Sequence, residues 1–304
     1  MKLKHMKRTQ IIGCLLLLQT IVLSASADDL AVAKKLEQLG GKVTLSGDAV
    51  VAVMFRDSSK LGDAEWKMIS ELSSLTKLTT YGKAHGLNDD TVGLLANLTN
   101  LTVLSTDGAQ LSDSGLEKLA AVKSLRSVSF FHLSFRKEGF TGKGFAAWSN
   151  LPNLEQLTVA GMSMGDEGFA AIAKISSLTE LRTWHTHRTQ VSNAEIAKLP
   201  NLTTLKLGQR LPRGKGLSPC LTDESLATLG TIRTLKVLEI GEARFSLKGL
   251  SQLKALPDLT RLKIDRSEVA AEEIDKLKTV LPKVEVQFEP ITEEQRERLK
   301  SYLR

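Results

Sequence analysis

The sequence predicts an α/β solenoid: a horseshoe of stacked units with a parallel inner sheet and short outer helices. Three observations predict it. Leu111 to Val128 reads LSDSGLEKLAAVKSLRSV, with apolar residues at Leu111, Leu116, Leu119, Val122, Leu125 and Val128. After a first step of five, their spacing is a steady three. The same opening, two apolar residues five apart with a small or polar residue after the first, recurs nine times. The pairs are Leu61/Trp66, Leu87/Val92, Leu111/Leu116, Phe140/Phe145, Met164/Phe169, Val191/Ile196, Leu221/Leu226, Phe245/Leu250 and Val269/Ile274. In seven of the nine copies the next strand's main apolar residue lies 17 positions on: Leu78, Leu104, Val128, Leu157, Leu181, Leu238 and Leu262. Two copies read shorter, 14 from Val191 to Leu205 and 15 from Val269 to Val284. Self-similarity at a period of about 24 residues is the signature of a repeat array.

Each element follows from that frame. A run such as LTVLST (Leu101–Thr106) supplies a short strand. Ser112 sits where a helix N-cap belongs, and Asp113 lies just inside the first turn, where an anion suits the helix dipole. The spacing of three that follows gives a short helix with one apolar side. One such unit cannot bury that side alone; stacked units bury a continuous leucine ladder. Ten parallel strands about 4.8 Å apart would span on the order of 45 Å.

LSDSGLEKL (111–119), MGDEGFAAI (164–172) and LTDESLATL (221–229), with the lead-in LEQLGGKVTLSGDAVVAVMF (36–55), carry a family resemblance. The pattern resembles the leucine-rich repeats of many exported bacterial proteins. It is also similar to the repeats of F-box and ribonuclease-inhibitor-like proteins. The resemblance covers roughly residues 30 to 288 and implies the leucine-rich-repeat fold. The Cys or Asn that many relatives keep after the strand is not regularly present, and no F-box-like segment precedes the repeats.

Taken in order, residues 1–27 read as a secretory signal peptide. Lys2, Lys4, Lys7 and Arg8 form a basic start, Ile11 to Leu23 an apolar run, and Ala25-Ser26-Ala27 a small-residue cleavage site. The run is short of the 18 or so residues a membrane span wants, and most of it lies after Cys14, where a lipoprotein cysteine would come at its end. Residues 28–48 read as a capping helix and an edge strand, with Leu30, Ala33, Leu36 and Leu39 on one helix face and Gly40-Gly41 ending it. Repeats run from 49 to 288. Residues 289–304 read as a terminal capping helix opened by a Thr292/Gln295 capping box.

Charge and cysteine usage bound the partners. The chain is +7, but the leader holds four basic residues and no acid, which leaves +3 on the rest. That is ordinary for this size, so no nucleic-acid partner is expected. Outside the leader Cys220 stands alone, so no intramolecular disulfide supports the fold. An exported chain without a bridge fits a bacterial periplasm or the extracellular space.

The connection from strand to helix is the variable part of each unit. It takes seven steps in tight copies, but 12 from Val128 to Phe140, 10 from Leu181 to Val191 and 16 from Leu205 to Leu221. Insertions in repeat proteins gather on one face, often the binding face, although loops also accept insertion at little cost. These three loops carry +1, +2 and +4, leaving the remainder near −4. The candidate binding residues are Phe131, His132, Arg136 and Lys137 in the first, and Arg182, Trp184, His185, His187 and Arg188 in the second. Lys206, Arg210, Arg213 and Lys215 stand in the third. The loops leave strands close enough together, about 15 Å, to form one basic, aromatic rim suited to an acidic protein or another anionic polymer. Reversing Arg210, Arg213 and Lys215 to Glu is expected to spare folding and weaken capture. The inner sheet adds Lys77, Tyr81, Asp107, Gln156, Glu180, Glu239, Arg261 and Lys263.

Catalytic and cofactor chemistry finds little purchase. His185-Thr186-His187 places two imidazoles on one side of an extended chain, but no Cys or carboxylate pair stands at ligand spacing. Gly142-Lys143-Gly144 and Gly214-Lys215-Gly216 complete no phosphate loop. No Cys–His signature surrounds Cys220, and no paired catalytic carboxylates stand out. The reading is an exported, non-catalytic binding protein with no cofactor, no metal and no membrane span in the exported form. The alternatives are a structural envelope component and, behind it, an enzyme acting on polysaccharide or peptide.

Overall fold

A computed structural model describes residues 27–134, 139–211 and 218–303. Eleven strands form one sheet in sequence order. They are β1 Lys42–Ser46, β2 Ala49–Phe55, β3 Lys77–Thr80, β4 Val103–Asp107, β5 Ser127–Phe131 and β6 Gln156–Ala160. The rest are β7 Glu180–Trp184, β8 Thr204–Leu207, β9 Val237–Gly241, β10 Arg261–Asp265 and β11 Glu285–Phe288. From β2 onward every neighbour is parallel, with Leu78, Leu104, Val128, Leu157, Leu181, Leu205, Leu238 and Leu262 in one unbroken register. All of these side chains are buried. The fold is a leucine-rich-repeat solenoid.

The last repeat corrects the spacing read from the sequence. Leu262 pairs with Val286 and not with Val284. The ladder therefore continues two residues later, at the same 17 positions as most copies. Only the copy from Val191 to Leu205 is short.

The outer layer is made of one-turn to three-turn helices. They are α1 Ala27–Gln38, α2 Asp63–Ser70, α3 Asp113–Leu119, α4 Asp166–Ile172 and α5 Val191–Ile196. α6 Asp223–Leu229, α7 Leu247–Leu250, α8 Ala271–Val280 and α9 Glu293–Tyr302 complete the α-helices. Two units use 3₁₀ turns instead, at Val92–Asn97 and Lys143–Asn150, and a third such turn, Ser251–Ala255, continues α7. Ser112 caps α3 as its sequence position implies, accepting from the amides of Ser114 and Gly115 at 3.1 and 3.3 Å.

The aspartate after the cap does more than suit its own helix dipole. Asp113 reaches into the next unit, accepting from Thr141 Oγ1 at 2.8 Å and from the Gly142 amide at 2.7 Å. Asp89 does the same to the Ser112 amide, Asp166 to the Thr189 amide and hydroxyl, and Asp223 to Ser246. Burial pushes the Asp166 carboxyl up, but hydrogen bonds from Ser192 and Thr189 outweigh it and hold the group below its ordinary range. At two of these helix starts the glycine three residues after the cap is explained by the same contact. A Cβ on Gly115 would stand 2.2 Å from Asp89 Oδ1, and one on Gly249 2.1 Å from Asp223 Oδ1. Asp113→Ala is expected to cost about 2–3 kcal/mol, because buried donors of the next helix start lose a charged acceptor. A urea midpoint matching wild type would show the link to be idle.

The core is the leucine ladder, thickened by aromatics where the first insertion enters. Phe130, Phe145 and Trp148 pack together with ring centroids 4.8 to 6.4 Å apart. The Trp148 indole nitrogen donates to the Leu116 carbonyl at 2.8 Å.

The ends differ in part from the sequence reading. The edge strand exists, as β1, and forms an antiparallel hairpin with β2. In α1, Ala33 and Leu36 are buried, but Leu30 is exposed. The inward position beside it is Asp29, which accepts the Val50 amide at 3.0 Å. The leader lies outside the described residues apart from Ala27. At the other end α9 has its capping box, with Thr292 and Gln295 bonded in both directions. Its side chains do not simply cover the last repeat. They run back along the loops that follow β10, β9 and β7, as Arg296 meets Glu268 and Tyr302 stacks on His185.

Candidate functional site: the concave sheet and its C-terminal edge

Alternation along a strand decides which residues face the concave side. The leucine positions and those two residues on point into the core, so the residues between them point out. One outward row is Thr79, Ser105, Ser129, Thr158, Arg182, Lys206, Glu239, Lys263 and Gln287. It changes character half-way. Over β3 to β6 it carries only small hydroxyls. From β7 onward every position up to Lys263 is charged.

The next outward row runs along the C-terminal ends of the strands. In it Tyr81, Phe131 and Trp184 are separated by Asp107 and Ala160 on the strands between. The rings nevertheless meet. Tyr81 and Phe131 lie edge to face at 6.1 Å, and Phe131 and Trp184 are tilted by 53° at 6.2 Å. The Tyr81 hydroxyl accepts from Ser105 Oγ at 3.1 Å. Lys206 Nζ stands 5.3 Å from the Trp184 ring. The result is a continuous apolar ridge over five strands, partly exposed along its length.

The basic rim expected from the sequence is changed by burial and pairing. Arg188 is fully buried: it donates to Asn193 Oδ1 at 2.7 Å and to the Gly208 carbonyl at 2.8 Å. Arg210 is only 3% exposed. Neither can present charge to a partner, because the insertions fold back over the end of the ladder and take these side chains inside. Reversing Arg210 therefore does not spare folding: a carboxylate there would be buried at a large desolvation penalty. Arg182 pairs with Glu180, and Lys206 with Glu239 at 2.7 Å. His132 meets Asp107 at 2.8 Å. His187 is half-buried. Arg136, Lys137, Arg213 and Lys215 lie outside the described residues.

His185 Nε2 lies 3.0 Å from Glu242 Oε2, and among the described residues no three His, Cys, Asp or Glu side chains gather as a metal site. Burial pushes the Glu242 carboxyl up, but the His185 hydrogen bond and the charges of His185 and Arg266 outweigh it and hold it low. Cys220 is buried, with its thiol pushed up by that burial. It donates to Gln209 Oε1 at 3.0 Å, so it serves the packing of the third loop and is no exposed nucleophile.

One feature of the strand ends was not read from the sequence. The residue after each last concave position adopts a left-handed backbone in most repeats. Gly82, Gly108 and Gly161 supply it without strain, with φ of 65°, 83° and 66°. His132, His185, Glu242 and Arg266 adopt it with side chains, at φ of 49°, 54°, 59° and 43°. Such positions are strained for a non-glycine residue and are held by their surroundings. Glycine recurring at 26 or so residues in the first repeats was the available signal; its replacement by charged residues later was the informative part.

No family model matches the chain, and no curated protein does. Among solved structures it is similar to an internalin from Listeria monocytogenes str. 4b F2365, with 17% identity over 90% of this chain and 93% of that one, at a TM-score of 0.45. No described helix is long and apolar enough to cross a membrane.

Proposed function

We propose that the protein is an exported, non-catalytic binding protein that recognises another protein through its concave sheet. The observation that carries this is the Tyr81–Phe131–Trp184 ridge. Large rings held by their neighbours offer contact area at little entropic cost, and Trp and Tyr dominate the energetics of protein interfaces. The rings lean on one another at 76° and 53°. That makes a ridge to insert among apolar side chains, in place of the flat, separated platforms a sugar chain stacks on. Of the hydroxyl row beside it, Ser129 and Thr158 remain partly exposed as short hydrogen-bond partners. Export rests on the basic, apolar and small-residue leader of 1–27.

The charged half contributes less to affinity than net charge suggests. Its described cations are largely paired on the surface itself, as Lys263 with Glu239 and Arg261 with Glu285. Phe131→Ala combined with Trp184→Ala is expected to weaken capture of a protein partner by at least tenfold, with the urea midpoint nearly unmoved. Capture by the unmodified protein is expected to survive 0.5 M salt, where the Debye length shrinks to about 4 Å. Loss of capture in salt, with the double variant still binding normally, would move the site to the basic loops.

A further inference from the structure

α9 differs from the helices of the repeats in how it is held. Most of those bury two or more side chains against the ladder, as α3 does with Leu116 and Leu119. α9 buries Leu299 alone. Its other fastenings are small and polar at the edges: Arg296 to Glu268 at 3.1 Å, and the Tyr302 ring stacked on His185 at 5.4 Å and 23°. Arg296, Leu299 and Tyr302 follow at intervals of three, so one helix face carries all three fastenings. Clefts of about 460, 380 and 470 Å³ remain around α9 and its lead-in, along the ends of β9 to β11. The helix is thus laid along the edge of the sheet without the close packing of the core.

What it covers is a built surface. His185, Glu242 and Arg266 come from the ends of β7, β9 and β10, all three in the left-handed conformation that Gly82, Gly108 and Gly161 adopt in other repeats. Glu242 draws them together, 3.0 Å from His185 and 3.3 Å from Arg266. A fold that accepts strain at three positions, and converges them, has placed those side chains for contact. Ten residues of helix are about 15 Å long, close to the three spacings from β10 to β7. Tyr302 therefore reaches the residue after Trp184, where the aromatic ridge ends.

We propose that α9 is a reversible strap: closed, it seals the His185–Glu242–Arg266 cluster and the end of the concave ridge; open, it frees them without unfolding the repeats. Pro290 at the break before the helix and the exposed lead-in supply the hinge. The surface beneath takes a helical segment that presents a cation, an apolar side chain and an aromatic ring at intervals of three, and α9, with no net charge, is the chain's own.

Hydrogen exchange read by mass spectrometry on the purified protein tests this. α9 amides are expected to exchange at least tenfold faster than those of β9 and β10, yet slower than an unprotected peptide. Leu299→Ala with Tyr302→Ala should raise α9 exchange a further tenfold. It should also raise modification of His185 by diethyl pyrocarbonate severalfold, leaving the urea midpoint of the repeats in place. α9 exchange as slow as that of β9, or a repeat midpoint that falls with the double variant, would make α9 a fixed cap and overturn the strap. Exchange at the unprotected rate in the unmodified protein would overturn it from the other side, since no closed state would exist.

Discussion

Arg188→Ala is expected to destabilise the protein by about 3–5 kcal/mol, summing two buried acceptors left unpaired and the cavity of a long side chain. The guanidinium is fully buried and bridges Asn193 and the Gly208 carbonyl. Asn193 in turn donates to the Cys220 carbonyl at 2.8 Å, and Gln209 Oε1 accepts the Cys220 amide at 2.8 Å. The second and third insertions are therefore closed over a shared polar network. Each member satisfies the next, so removing one strands the others. Urea unfolding of the variant measures the loss, and a change below about 1 kcal/mol would mean that the network supports nothing.

Leu119→Ala is expected to cost about 2–5 kcal/mol through lost burial and a residual cavity. Leu119 is fully buried at the end of α3, in the ladder between units. Because each repeat contacts only its neighbours, the damage should concentrate near β4 and β5 before it reaches the ends. Exchange protection lost evenly along the whole chain, with no local excess, would contradict that picture.

The fold was legible because its determinant is periodic. Leu104, Leu116, Leu119 and Leu125 have one role each, repeated with each copy, and a reader needs only the spacing to assign them. Even there, Val284 and Val286 could not be told apart by pattern, since both are apolar and only the pairing with Leu262 decides. The candidate site was less legible, for reasons that differ by residue. Tyr81, Phe131 and Trp184 could be placed on the inner sheet by alternation. Their contact across intervening strands depends on Asp107 and Ala160 leaving room, which alternation does not reveal. Arg188 and Arg210 read as loop cations because composition says nothing of which way an insertion folds. The path of α9 was illegible for the opposite reason. A short polar helix can lie on any surface, and the one buried leucine that fixes it is no stronger a signal than an exposed one.

The aspartate links between units give the array a direction. Asp89, Asp113, Asp166 and Asp223 each hold the helix start of the unit that follows, never the one before. A unit therefore begins its helix against an acceptor supplied from its N-terminal side. A chain that emerges N-terminus first, from a ribosome or through an export channel, presents every new helix start to a neighbour already in place. Shortening the array from its beginning strips the next helix of its acceptor, whereas shortening it from the end leaves only a carboxylate facing water. The links of this solenoid thus run in the order in which its chain is delivered.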